Sequence, residues 1–311
     1  MAMADIGVIG TGLIGRSWAI VFARAGFSVK LWDPAPAAAR AALGFIAERL
    51  PELRQAGLLA DAPEQVQARI TPAASLAEAV REAVHVQENG PERRDDKAAL
   101  FAELDRLAPA DAALASSTSG IPASAFTEKL AGRHRCLVAH PVNPPYLVPV
   151  VELCPSPWTD PVIVQRTRTL MQQADQVPAT VNREVPGFVL NRLQIALVAE
   201  AFRLVRDGVV SPEDLDATVK HGLGLRWAFM GPFETIDLNA PGGVADYCAR
   251  YGALYDQVQG EMQPCGFTPE LVARIEAARR ADLPRDRHAD RTAWRDRRLM
   301  GLAAHKAATA E

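Results

Sequence analysis

The sequence predicts an α/β protein, with a doubly wound, mostly parallel sheet over residues 1–186 and a smaller all-α domain over 187–311. Three observations predict it. Short apolar runs alternate with longer helical patterns through the first half, the order that a parallel sheet with crossover helices requires. A glycine-rich turn joins the first predicted strand to the first predicted helix. Beyond residue 186 the pattern is helical, with no convincing strand.

The strands read as "DIGVIG" (5–10), "SVKLWD" (28–33), "AVHVQE" (83–88), "AALASS" (112–117) and "RCLVAH" (135–140). They are near-continuous apolar runs, as strands covered on both faces should be. Helical stretches lie between them around 13–25, 35–56 and 92–107. The stretch from 35 to 80 is long for one crossover and predicts an extra helix or helical hairpin. "PGFVLNRLQIALVAEAFRLVRDG" (186–208) predicts a helix that is apolar nearly all round, and so buried on most sides. "SPEDLDATVKHG" supplies a helix with Ser211 as N-cap, Pro212 in the first turn, Asp214 at the capping-box position and Gly222 as its stop. The closing "ADLPRDRHADRTAWRDRR" fits either a docked helix or a mobile tail.

Composition narrows the function classes. The 311 residues are 49% hydrophobic and 23% charged, with a net charge of −3, so nothing selects a polyanionic partner. The arginines near the C-terminus alternate with Asp286, Asp290 and Asp296 and read as a solvated helix face, not a nucleic-acid site. Cys136, Cys154, Cys248 and Cys265 form no CxxC pair, so neither a metal site nor a redox motif is expected. No signal peptide and no membrane-spanning run is evident, which predicts a soluble cytoplasmic protein.

"VIGTGLIG" contains Gly10-x-Gly12-x-x-Gly15. After a strand and before a helix, this is the Rossmann-like setting for a dinucleotide. Gly10 makes the turn, Gly12 admits the pyrophosphate and Gly15 lets the helix approach the sheet. Leu13 and Ile14 lie at the helix N-terminus, where unpaired N–H groups favour an anion. Asp33 ends the second strand, placed to accept hydrogen bonds from the ribose hydroxyls and to repel a 2′-phosphate. Pro34 follows it instead of an arginine, so the expected cofactor is NAD and not NADP.

Ligands of open α/β sheets bind beyond the carboxyl ends of the strands. "SSTSG" (116–120) and "HPVNPP" (140–145) both stand there, so Ser119, His140 and Asn143 are expected to converge, with Ser117 on the cofactor side. "VVEL" places Glu152 on a later strand that can return against His140. Oxidation of an alcohol needs a base for the hydroxyl proton. Neutral imidazole suits that role near pH 7, and a buried carboxylate on its other nitrogen fixes the tautomer. His85, His134, His221, His288 and His305 have no such setting.

Taken in order, the glycine loop, "STSG", "HPVNPP…VVEL", "PGFVLNRL" and "GLGLRWAFMGPFETIDLN" resemble the 3-hydroxyacyl-CoA dehydrogenase family over nearly the whole chain. The later two motifs look closest to its λ-crystallin/L-gulonate 3-dehydrogenase branch. The resemblance implies that His140 is the base, Glu152 its carboxylate partner and Ser119 the residue that binds the substrate oxygen. It implies that Asn191 stands near the reacting oxygen, that Glu92 and Lys97 flank the cofactor and that Asn143 supports the nicotinamide side. A homodimer through the helical domain is implied too.

Two departures stand out. The chain has "GLRWAFMGPFETID" where acyl-CoA members have "GYPMGPFEL", so Arg226 and Trp227 replace smaller, uncharged residues. A guanidinium grips a carboxylate, which predicts a free 3-hydroxy acid such as L-gulonate as substrate, with Arg226 on its carboxylate. "PERRDDK" also carries Arg93, Arg94 and Asp95 where the family is more apolar. The alternatives are a 3-hydroxyacyl-CoA (3-hydroxybutyryl-CoA) dehydrogenase, a carnitine-type dehydrogenase with Glu234 or Asp237 near a quaternary ammonium, and a non-catalytic crystallin-like NADH-binding protein.

Overall fold

The structure is a computed structural model and describes residues 4–309. Eight strands form one sheet: β1 (Asp5–Ile9), β2 (Ser28–Trp32), β3 (Ile70–Pro72), β4 (Ala83–Glu88), β5 (Ala113–Ser116), β6 (Cys136–Pro141), β7 (Val150–Pro155) and β8 (Val177–Thr180). Their order is β3-β2-β1-β4-β5-β6-β7-β8. All neighbours are parallel except β6 and β7, which run antiparallel. Strand order reverses between β1 and β4, where crossovers pass to opposite sides and open a crevice at the carboxyl ends.

Side chains alternate between the two faces, and each face has its own core. Ile6, Val8, Ala113, Ala115, Leu137, Ala139, Val151 and Leu153 belong to one, with Trp18 and Phe22 of α1 (Leu13–Arg24) and Ile46 and Leu50 of α2 (Pro36–Gln55). Ile9, Leu114, Cys136, Val138 and Cys154 belong to the other, with Phe101, Leu104 and Phe126.

The stretch from 35 to 80 holds the expected extra helix and, in addition, a strand. After α2 and a short helix (Pro63–Ala68), the chain lays down β3 before another short helix (Leu76–Val80). Three residues are too few to show a period, and β3 exists because β2 offers it an edge. β8 was likewise not anticipated; it pairs with β7.

The chain forms two compact units: residues 1–192 with 292–311, and residues 193–291. The expected division fell at 186/187. The closing segment is a helix (His288–Ala308), and its Met300, 4% exposed, enters the core of the first unit, with Leu299 packed beside it.

The second unit is helical throughout. Ser211 caps the helix Pro212–Thr218 by accepting from the Asp214 N–H at 3.0 Å. Gly222 does not stop the chain's helical course, which runs on through a wider π-helical turn (Val219–Leu223) into Gly224–Trp227. The expected buried helix begins at Leu190 and extends to Arg206, and only its Val205 is buried. Leu193 and Ile195 are each 63% exposed. An apolar face asks for a cover, and a single chain does not supply one here. Among the described residues no helix is long and apolar enough to cross a membrane, no group of three His, Cys, Asp or Glu could hold a metal ion, and the four cysteines are free.

Candidate active site

The glycine turn leaves the end of β1, its Gly10 N–H donating to the Trp32 carbonyl at 2.8 Å. Gly10 has φ +85°, and a Cβ on Gly15 would lie 1.8 Å from the Gly10 carbonyl oxygen, so neither position takes a side chain. A Cβ on Gly12 would meet nothing within 4 Å, which is the open approach that a pyrophosphate needs. Gly12 is the N-cap of α1 and no side chain caps it, so the N–H groups around Leu13 and Ile14 have no side-chain acceptor there. These features fit a dinucleotide phosphate at the helix N-terminus.

Asp33 stands beside this turn. Its Oδ2 accepts from the Thr11 N–H (2.8 Å) and hydroxyl (3.0 Å), and its Oδ1 from the Ala35 N–H (2.9 Å). Those bonds fix the carboxylate and use most of its roughly four acceptor directions. The Thr11 hydroxyl is a rotor, and by turning away it frees a second direction for a ribose diol. Thr11 is 4% exposed and gave no signal in sequence; only the fold reveals its hold on Asp33.

His140 and Glu152 face each other across the antiparallel β6–β7 pair, in direct register. The His140 Nδ1 lies 2.9 Å from Glu152 Oε2, with the residues 6% and 3% exposed. The other oxygen, Oε1, accepts the Val189 N–H at 2.8 Å and the Leu190 N–H at 2.9 Å. Burial by itself would raise the Glu152 pKa. The hydrogen bonds from His140, Leu190 and Val189 together outweigh it and hold the carboxyl below its ordinary value of 4.5. A carboxylate facing Nδ1 places the proton of the neutral ring there, which leaves Nε2 as the basic nitrogen.

Ser119, exposed on the loop after β5, meets Asn191, whose Nδ2 donates to the Ser119 carbonyl at 2.7 Å. Glu92 builds this loop from below. Its Oε1 accepts the Thr118 hydroxyl (2.6 Å), the Ser119 N–H (2.9 Å) and the Gly120 N–H (3.1 Å). Lys97 is 2% exposed, and its ammonium spans both oxygens of the fully buried Glu88 at 3.1 and 3.0 Å, with Glu92 at 3.8 Å. Ser116 also donates to Glu88, at 2.5 Å. Glu92 and Lys97 thus stand at the ligand end of β4 and β5 as parts of an internal frame. Sequence marks both residues but not this employment.

Ser117 is a hub. Its hydroxyl accepts from Trp18 Nε1 (3.0 Å) and Gln87 Nε2 (2.7 Å) and donates to Asn89 Oδ1 (2.7 Å). Gln87 continues inward to His85, whose Nε2 lies 3.0 Å from its amide oxygen. Burial pushes His85 down to about 4, and the Gln87 bond only partly opposes that. Asn143 is exposed, with a cis bond to Pro144. Among the described residues no hydrogen bond joins Ser119 or Asn143 to His140. Arg226 is exposed on the helix Gly224–Trp227 of the second unit.

Comparison with known proteins agrees with this architecture. Residues 5–185 match the family model "3-hydroxyacyl-CoA dehydrogenase, NAD binding domain", and residues 187–282 match "3-hydroxyacyl-CoA dehydrogenase, C-terminal domain". The chain is 46% identical to a lambda-crystallin homolog of Bos taurus over 311 residues, 98% of this chain and 96% of the bovine protein. It is 42% identical to an L-carnitine dehydrogenase of Streptomyces griseus over 248 residues, 79% of this chain and 73% of that protein. Among solved structures it is similar to 5-formyl-3-hydroxy-2-methylpyridine 4-carboxylic acid 5-dehydrogenase, an NAD+-dependent dismutase, with a TM-score of 0.81, 28% identity and coverage of 98% and 97%.

Proposed function

The chain belongs to the 3-hydroxyacyl-CoA dehydrogenase family of NAD-dependent oxidoreductases, and we propose that it oxidises the 3-hydroxyl of a free 3-hydroxy acid resembling L-gulonate. The His140–Glu152 pair carries the reading. His140 Nε2 takes the hydroxyl proton, and Glu152 holds the imidazolium that forms. Anchored by two backbone N–H groups, the carboxylate stays aimed at Nδ1 throughout. The Ser119 hydroxyl binds the reacting oxygen. One Asn191 amide hydrogen holds the Ser119 carbonyl and the other remains for the developing charge. Gly10, Gly12, Leu13, Ile14, Gly15 and Asp33 would hold NAD, with Ser117, Asn143 and the Glu92–Lys97 frame shaping the site around it. Bound NAD supplies the hydride acceptor.

The free-acid reading rests on Arg226, whose planar fork suits a carboxylate. L-Carnitine, named for the Streptomyces relative, is itself a free 3-hydroxy acid, and that similarity supports the class. The family's description favours an acyl-CoA thioester as the second reading. Initial rates of NADH formation from L-gulonate, L-carnitine and (S)-3-hydroxybutyryl-CoA separate them. L-Gulonate is expected to have the highest kcat/KM, and Arg226→Met should raise KM for the acid while sparing the thioester. A preference for the thioester, with KM for the acid unmoved in Arg226→Met, overturns the free-acid reading. His140→Ala should lower kcat roughly 10²- to 10⁴-fold on whichever substrate is used.

The reading includes a homodimer. Leu193 (63%), Leu225 (64%), Phe233 (78%) and Phe267 (64%) are exposed in the second unit, a density of bare apolar side chains that a second copy would cover.

A further inference from the structure

The turn that leads into the helix Leu190–Arg206 is unusual. The Phe188 N–H donates to the Val185 carbonyl at 3.1 Å, with Pro186 and Gly187 at the corners and Gly187 at φ +76°. That is the pattern of a type II turn, for which Pro-Gly is the natural pair. The next residue then does what bulky side chains rarely do: Phe188 takes φ +50°. Such a conformation persists only where its surroundings over-determine it.

Two sets of contacts do so here. The Phe188 ring is fully buried and lies against the His140 imidazole, with centroids 5.5 Å apart and planes at 47°. The two amides that follow it, Val189 and Leu190, are the ones that hold Glu152 Oε1. His140 is therefore bounded by a carboxylate at its Nδ1 edge and by a tilted aromatic ring packed against it. Both supports depend on the same left-handed residue.

We propose that Phe188 is a positioning residue for His140. Its ring sets the plane of the imidazole and keeps water from the Nδ1–Glu152 bond, and its backbone delivers the two N–H groups that stop Glu152 from rotating. The inference rests on His140 as the base of the proposed reaction. A residue serving only the core, where Phe188 joins Val138, Cys154 and Val181, needs an apolar side chain but neither a ring on His140 nor a left-handed backbone.

Phe188→Leu, Phe188→Tyr and His140→Ala test it in the full chain. Two quantities are read: kcat and KM with the preferred substrate, and the ¹⁵N imidazole signals of His140, assigned by their loss in His140→Ala. The parent protein should show a single tautomer with its proton on Nδ1. Phe188→Leu should lower kcat roughly ten- to a hundredfold with KM within about twofold, the cost of a base slightly misplaced, and its His140 signals should move toward tautomer averaging. Phe188→Tyr, which keeps the ring, should retain the single tautomer and most of kcat. A Leu variant with parental kcat and a single His140 tautomer overturns the proposal, as does one whose only change is a lower melting temperature. If Phe188→Leu does not fold, Phe188→Met is read against the same outcomes. Should His140→Ala keep its activity, the catalytic reading fails, while the tautomer measurement still decides whether Phe188 fixes the ring.

Discussion

The two units of this chain contain the same kinds of apolar residue and use them in opposite ways. In the first, Trp18, Phe22, Phe101 and Phe188 are wholly buried on one face or the other of the sheet. In the second, residues 193–291, the buried hydrophobics are Val205, Ala240 and Leu271, while Leu225, Phe233, Leu238 and Phe267 stand mostly in the open. The first unit has a core on each face of its sheet, and buried ion pairs such as Lys97 on Glu88 and Glu152 on His140 stand within it. The second buries few of its apolar side chains within the described chain, and burial is what offsets the entropy of ordering helices. The difference teaches that the His140–Glu152 pair sits in a unit with a full two-sided core, while the helical unit leaves large apolar side chains exposed.

Three measurements bear on that contrast. The largest effect is expected from Phe101→Ala, which removes a ring with no exposure and should cost about 3–5 kcal/mol in chemical unfolding. A loss below about 1 kcal/mol would mean that this core is loose, and the contrast would break. His85 gives the next effect. Its folded pKa of about 4 lies below the ordinary 6.5, so the unfolded chain takes up a proton first as the pH falls. Stability from this group is complete above pH 6.5 and is lost between there and pH 4, a change of roughly 3 kcal/mol. Urea unfolding at pH 7.5 and pH 5 should show the decline, and His85→Gln should remove most of it; an unchanged slope would argue against a dry His85. The smallest effect is expected from Phe233→Ser. At 78% exposure it should alter the stability of an isolated chain by no more than about 0.5 kcal/mol. Light scattering sharpens the comparison: if a second copy covers this unit, the same substitution shifts the protein toward monomer, and an unmoved mass assigns Phe233 to solvent.

How much of the site could be read in advance depended on the range of the interaction. The glycine turn was legible because its physics is local: a turn, a helix end and a close approach, all within a few residues. The capped helix after Ser211 was legible for the same reason. β3 and β8 were not: β3 has three residues, too few to show a period, β8 is largely exposed, and each forms on the edge a neighbouring strand offers. The exposure of the helix Leu190–Arg206 was also hidden. An apolar face declares that something covers it, not that the cover lies in the same chain.

His140 and Glu152 lie between these cases. The sequence by itself determined that a histidine ends one strand and a carboxylate sits in the next, because apolar runs and strand-end polar residues are written locally. It also determined the dinucleotide turn and the order of sheet and helices. Only the tertiary structure decided that β6 and β7 pair antiparallel in the register that sets the two side chains face to face. A slip of one residue would have turned Glu152 to the opposite side of the sheet. Tertiary structure likewise decided that Lys97 is used on Glu88, that Thr11 holds Asp33, and that a left-handed Phe188 packs its ring against the imidazole. Each of these joins residues distant in sequence, and only the folding of the sheet brings them together.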